Sequence, residues 1–231
     1  KMSFEAPGVY YFIGAGCTGF RSQANFSNTQ EIEEPFGSEM QSVQIINDIK
    51  NNIRYAIVPH REINFRGDCS IPYQAPEERI CIDIPLSIPF PMSSVNIFAF
   101  NRDNPETSGN GVVFYSKPFG YKTGANAGYF ALSPKDIGAF WQNKPDVIDF
   151  SNSYNFVDVP EEEKELCKNF ENCPGSIKIQ GNYLAILYAR QLQSQFPYCQ
   201  VFDKDVPNLK EEEVIAVQGR ELETIYVIPT K

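Results

Sequence analysis

The chain has 231 residues, with 29 acidic side chains against 20 basic ones, a net charge of −9 and a pI near 4.8. That balance argues against nucleic acid as a partner, because phosphate recognition rests on clustered Lys and Arg. No apolar run approaches the ~20 residues that a membrane-spanning helix needs.

Aromatics make up 13% of the chain, and 17 Pro and 15 Gly punctuate short apolar runs. This is the profile of an all-β protein rich in turns, long enough for two domains that each bury a core. Lys1 to Phe12 shows neither the basic n-region nor the apolar h-region of a signal peptide. Within it, Gly8-Val9-Tyr10-Tyr11-Phe12 suits a strand and runs into Gly14, Gly16 and Gly19. Glycine tolerates positive φ, so this stretch reads as a tight folded hairpin. Gly14, Gly16 and Gly19 also match a dinucleotide fingerprint spacing, but no helical pattern follows and no βαβ unit can form around them.

Ser42-Val43-Gln44-Ile45 introduces a phrase of Ser, β-branched, polar, Ile that recurs along the chain. It returns as Ser94-Val95-Asn96-Ile97, as Ser176-Ile177-Lys178-Ile179 and, with Thr first, as Thr224-Ile225-Tyr226-Val227. Gly111-Val112-Val113-Phe114-Tyr115 echoes the first strand, and Ala185-Ile186-Leu187 echoes Ala56-Ile57-Val58. Cys69 lies 25 residues before Ser94, and Cys199 lies 25 before Thr224. Such recurrence marks internal duplication. It reads as A-B-A′-B′: one domain over 1–102 and a second over 109–231, joined through the turn-rich, apolar-free stretch at 101–110.

The second A unit repeats the strand-then-glycine pattern with Gly120, Gly124 and Gly128, but it is longer. Gly111 to Ser176 spans 65 residues where Gly8 to Ser42 spans 34. The excess is placed as an insertion around 134–172, which holds Trp141, Cys167 and a helical turn expected over Pro160–Lys168, with Cys173 directly after it. A long insertion in a compact domain is the first place to look for a private surface.

These units resemble the Greek-key motifs of the βγ-crystallin superfamily, in which an aromatic strand enters a folded hairpin and a later Ser closes over it. The first unit offers Phe12, Cys17, Gly19 and Ser42 at those spacings, and the second offers His60, Phe65, Gly67 and Ser94. The third offers Tyr115, Phe119, Gly120 and Ser176 with a hairpin read as shortened. The fourth keeps Tyr188 but has Gln193 and Gln195 at the aromatic and Gly positions, and Thr224 for Ser. The resemblance implies two β-sandwich domains, each of two intercalated Greek keys. A hydroxyl under a folded hairpin also has a direct rationale, since it can bond the hairpin's backbone in place of water.

Many members of this superfamily bind calcium through two adjacent Asn or Asp, two variable residues, then Ser/Thr and Ser. A hard cation needs converging oxygen ligands. The windows here are 37–42, 89–94, 171–176 and 219–224, and only the third keeps an acid and amide pair, Glu171 and Asn172. Tight calcium binding is therefore not expected, and any weak site falls to that pair. The acidic runs Glu31/Glu33/Glu34, Glu161/Glu162/Glu163/Glu165 and Glu211/Glu212/Glu213 read as solvated loops with at most a loose pull on divalent cations.

Six cysteines divide three and three between the domains, without C-x-x-C spacing and with one His in the chain, so a zinc site is not expected. An even count in an acidic β-protein points to disulfides and an extracellular compartment. The alternative is six reduced, buried thiols in a cytoplasmic protein. Full oxidation with three per domain requires a bridge between the domains. Catalysis by a Ser–His or Cys–His mechanism would need His60, which stands where the hairpin expects a packing aromatic. The expected protein has no catalytic, cofactor or metal residues. It is non-enzymatic, either structural and protective or a secreted interaction protein that meets a protein or glycan partner through 134–172.

Overall fold

Val9 to Phe12, a run of β-branched and aromatic residues, pairs as strand on both edges because such side chains pack well on a pleated surface. The computed structural model describes residues 5–101, 111–115, 129–132, 154–155, 175–191, 194–216 and 220–229. The chain is all-β, and among the described residues α-helix is confined to single turns at Phe36–Glu39 and Glu213–Ala216. It divides into two compact units, Lys1–Asp103 and Asn104–Thr230.

In the first unit, one sheet runs in the order β2 (Thr18–Arg21), β1 (Gly8–Gly14), β3 (Ser42–Ile46), β7 (Arg79–Asp83). The other is centred on β4 (Ile53–Glu62). β5 (Arg66–Cys69) and β6 (Tyr73–Gln74) lie on one side of it and β8 (Ser94–Asn101) on the other. The halves of the unit exchange strands. β7, from the second half, completes the first sheet against β3. Thr29, from the first half, bridges Val95 of β8 with backbone bonds of 2.9 and 3.0 Å in the two directions. Two Greek keys that each lend a strand to the other's sheet cannot separate without breaking both ladders.

The second unit repeats the arrangement. One sheet runs β10 (Tyr129–Leu132), β9 (Gly111–Tyr115), β12 (Ser176–Gln180), and Val206 bridges Ile177 at its edge. The other runs β11 (Tyr154–Asn155), β15 (Arg220–Pro229), β13 (Tyr183–Gln191), β14 (Tyr198–Phe202). Val112 and Ile177 of the first sheet pack with Ala185, Leu187 and Phe202 of the second in one buried cluster, which makes the unit a sandwich. Β1 and β4 are buried on both faces along most of their length. One face of β1 meets the core. On the other, Tyr10 and Phe12 are covered by Cys17 and Ala24, from the hairpin and the segment after it.

Strand register fixes the internal repeat. Phe12 faces Ser42, His60 faces Ser94, Tyr115 faces Ser176 and Tyr188 faces Thr224. Cys69 pairs with His60 and Cys199 with Tyr188, so the two cysteines hold the equivalent strand position that their spacing implied.

Three readings need correction. The echo of Ala56-Ile57-Val58 in Ala185-Ile186-Leu187 is one residue out of step. Ala56 faces Phe98, four beyond Ser94, whereas the residue facing four beyond Thr224 is Leu184, so similar composition mimics an equivalence that hydrogen-bond register does not share. The third hairpin is longer rather than shortened: Tyr115 pairs with Tyr129, whereas Phe12 pairs with Arg21. Finally, 134–172 is not all insertion. Tyr154 pairs with Ile225 as Thr29 pairs with Val95, so this stretch contains the strand lent to the other sheet. The helical turn expected over 160–168 lies outside the described residues.

Candidate functional site

The repeated Ser closes both hairpins of the first unit in the same way. Ser42 Oγ donates to the Gly14 carbonyl at 2.6 Å and accepts the Cys17 N–H at 2.9 Å. Ser94 Oγ donates to the Glu62 carbonyl and accepts the Phe65 N–H at 3.0 Å. Both side chains are fully buried, as is Ser176. Each hydroxyl thus satisfies one acceptor and one donor of a turn in which Cys17 (φ 56°) or Phe65 (φ 60°) lies in the left-handed region. Gly19 (φ 79°) and Gly67 (φ 74°) then return the chain to the sheet through a conformation that side chains resist. The first hairpin is fastened twice more. Its Gly16 N–H donates to Asp83 Oδ1 at 2.6 Å, and Cys17 forms a disulfide with Cys81. Cys69 and Cys199 are disulfide-bonded as well, which removes the reduced-thiol alternative for these four. Cys167 and Cys173 lie outside the described residues.

His60 is a packing residue. It is fully buried, and its ring meets Phe65 edge-on at 5.7 Å, the role expected of the hairpin aromatic. The Asn96 Oδ1 acceptor lies 2.6 Å from Nε2, so the ring proton sits there, and Nδ1 has no partner. Burial pushes its pKa down to about 4, only partly opposed by the Asn96 bond. The hydroxyl opposite, that of Ser94, is committed to hairpin backbone, and Cys69 does not titrate. This is no nucleophile and base pair.

Two calcium windows fall within the described residues, and their donors do not fit a hard cation. The first places Gly37 and Ser38 where the acid pair is required, and the Ser38 hydroxyl is bonded to Glu34. The second places Pro89 and Phe90 there, the latter buried. Asp83, which reaches the first hairpin, is already bonded to its Gly16 N–H. Glu171 and Asn172, with Glu161 to Glu165, lie outside the described residues.

The acidic runs divide. Glu31, Glu33 and Glu34 are exposed, as a solvated loop requires. The run at 211–213 is not a free loop. Glu211 accepts locally from Asn208 Nδ2, while Glu212 accepts from Gln200 Nε2 and Glu213 from the Tyr198 hydroxyl, two bonds that tie the turn at 209–216 to β14.

One cleft of the first unit was invisible in the sequence. It has a volume of about 480 Å³ and lies between β1, β2 and the segment 29–36. The Phe20 and Phe36 rings stack in parallel, 5.6 Å apart with 7° between their planes, and Tyr11 lies 6.2 Å from Phe36. Phe20 is 63% exposed, whereas Tyr11 is buried and its hydroxyl has only a weak contact with the Thr29 side chain. Arg21, the cation lining the cleft, is bound to Glu5 at 2.8 Å and sits 4.6 Å over the Tyr10 ring. Residues spread over 26 positions build this site, and only the fold brings them together.

No protein-family model matches the chain, and no curated protein matches it. Among solved structures it is similar to the solution structure of protein S complexed with calcium, at 14% identity and a TM-score of 0.28. The match covers 96% of this chain and 100% of that one. At that score the likeness decides nothing, and the fold rests on the strand pairing described above.

Proposed function

We propose that this is a non-enzymatic, βγ-crystallin-like structural or protective protein of an oxidising, extracellular compartment, whose function is the durability of its fold. The observation that carries this reading is the triple fastening of the first hairpin by the Ser42 hydroxyl, the Asp83 carboxylate and the Cys17–Cys81 disulfide. These groups hold a surface turn that local interactions alone leave strained. The strand exchange adds a second source of persistence, because unfolding one Greek key exposes the other's sheet edge.

The disulfides support the compartment, since such bonds persist where thiols are not kept reduced. Among the described residues, no helix is long and apolar enough to cross a membrane. The test is kinetic: the rate of unfolding in guanidinium and the rate of cleavage by a broad-specificity protease, for the oxidised and the reduced protein. The reading expects slow unfolding and no cleavage within 5–101 when oxidised, and acceleration of both on reduction. Rapid unfolding or cleavage of the oxidised first unit would contradict it.

A further inference from the structure

The cleft of the first unit has the chemistry of a cation site. Its wall is two stacked phenyl rings, one largely exposed, and aromatic faces attract cations through their quadrupole. Its rim carries Glu31 and Glu33, exposed carboxylates without an ion pair among the described residues, and Glu34, which the Ser38 hydroxyl engages. Its inner side is closed by Tyr11, whose hydroxyl is buried beside Thr29. An anion is disfavoured because the lining guanidinium, Arg21, is already held by Glu5 and Tyr10. A neutral sugar would stack on the ring faces and donate hydroxyls to the carboxylates, but it lacks the charge attraction and the cation–π contact that a cation gains from the same groups. The volume suits a small ligand or one inserted side chain.

We propose that this cleft binds an organic cation, an ammonium or guanidinium group on a short aliphatic stem. Phe20 and Phe36 form its wall, and Glu31 and Glu33 attract the charge. Burial holds the Tyr11 pKa at about 12, so the hydroxyl stays neutral under all ordinary conditions. The site goes beyond durability, giving the first unit a means of recognising a basic molecule.

The test is an amide-shift NMR titration of the full chain with Nα-acetyl-lysine methylamide, and with its Nε-acetylated form as the uncharged control. The expected result is saturable shifts confined to backbone amides near 11, 20–25 and 29–36, at least tenfold weaker for the uncharged form. Phe20→Ala should weaken binding about tenfold and Glu33→Gln about threefold. Both side chains are exposed, so an unchanged melting temperature will confirm that neither variant has lost its fold. A hexapeptide with one central Lys separates the sources. Tighter binding than the amide assigns the cation to a partner protein, and equal binding assigns it to a free amine. The proposal is overturned by the absence of saturable shifts, by equal binding of the Nε-acetylated form, or by a neutral oligosaccharide shifting these amides when the amine does not.

Discussion

Lowering the pH should destabilise the first unit through His60, and the size of the effect follows from its surroundings. The neutral ring fits because Nε2 donates to Asn96 Oδ1, while Nδ1 faces no donor or acceptor. Protonation would place a charged N–H at that buried, unpartnered position. The folded pKa is accordingly near 4, against 6.5 for an ordinary His. The unfolded chain therefore takes up a proton as pH falls through 6.5, whereas the folded chain refuses one until pH 4. Stability is full above the first value, is lost between the two, and levels off below the second. At about 1.4 kcal/mol per pKa unit the full loss is roughly 3 kcal/mol, of which about 2 has gone by pH 5. Carboxylates titrate over part of the same range, so the measurement is a difference. Urea unfolding of wild type and His60→Phe is compared at about pH 7.5 and about pH 5. The variant keeps the aromatic contact with Phe65 and costs about 1–3 kcal/mol at neutral pH by stranding Asn96. Wild type should lose about 2 kcal/mol more than the variant on acidification. Identical pH slopes would refute the reasoning and show that His60 is protonated, or solvated, in the folded state.

Ser42→Ala and Ser94→Ala should each cost about 1–3 kcal/mol by chemical denaturation, because each strands a hairpin donor and acceptor. Ser87→Ala, at an exposed position, should stay within about 0.5 kcal/mol, and equal small losses at all three would reduce the repeated phrase to a strand-start preference. Replacing Cys17 and Cys81 together by Ala should cost about 4 kcal/mol, the chain-entropy value for a sequence separation of 64. A loss below about 1 kcal/mol in equilibrium unfolding would mean that the hydroxyl and Asp83 suffice to fix the hairpin. Calcium at about 1 mM should stabilise the protein by no more than roughly 0.4 kcal/mol, the effect of a site with a Kd near that concentration. If calorimetry instead reveals micromolar binding, Glu171→Gln and Asn172→Ala identify whether the third window holds the ion.

Much of the architecture was legible because it is written locally and repeated. The Ser phrase, the aromatic strand before each hairpin and Gly19 and Gly67 each answer a local backbone need, and register places the four Ser/Thr opposite Phe12, His60, Tyr115 and Tyr188. The repeat could not be aligned residue by residue along β13, where similar apolar triplets sit one position apart and only hydrogen bonding separates them. Nor could the lent strand at Tyr154–Asn155 be found, since two residues in a long, variable stretch carry no period of their own. Likewise, the sequence offered no sign that Glu212 and Glu213 would be tied to β14, because side-chain acceptors look like solvated charge until their donors are known.

The sequence by itself determined the all-β class, the four-fold recurrence and the position of His60 as a hairpin aromatic, because strand propensity and turn chemistry act over a few neighbouring residues. Tertiary structure alone decided which Cys meets Cys17, that His60 would bury one nitrogen without a partner, and that Tyr11, Phe20 and Phe36 would share a cleft. Those outcomes depend on how far-separated segments cross when two Greek keys exchange strands, and no local pattern carries that distance.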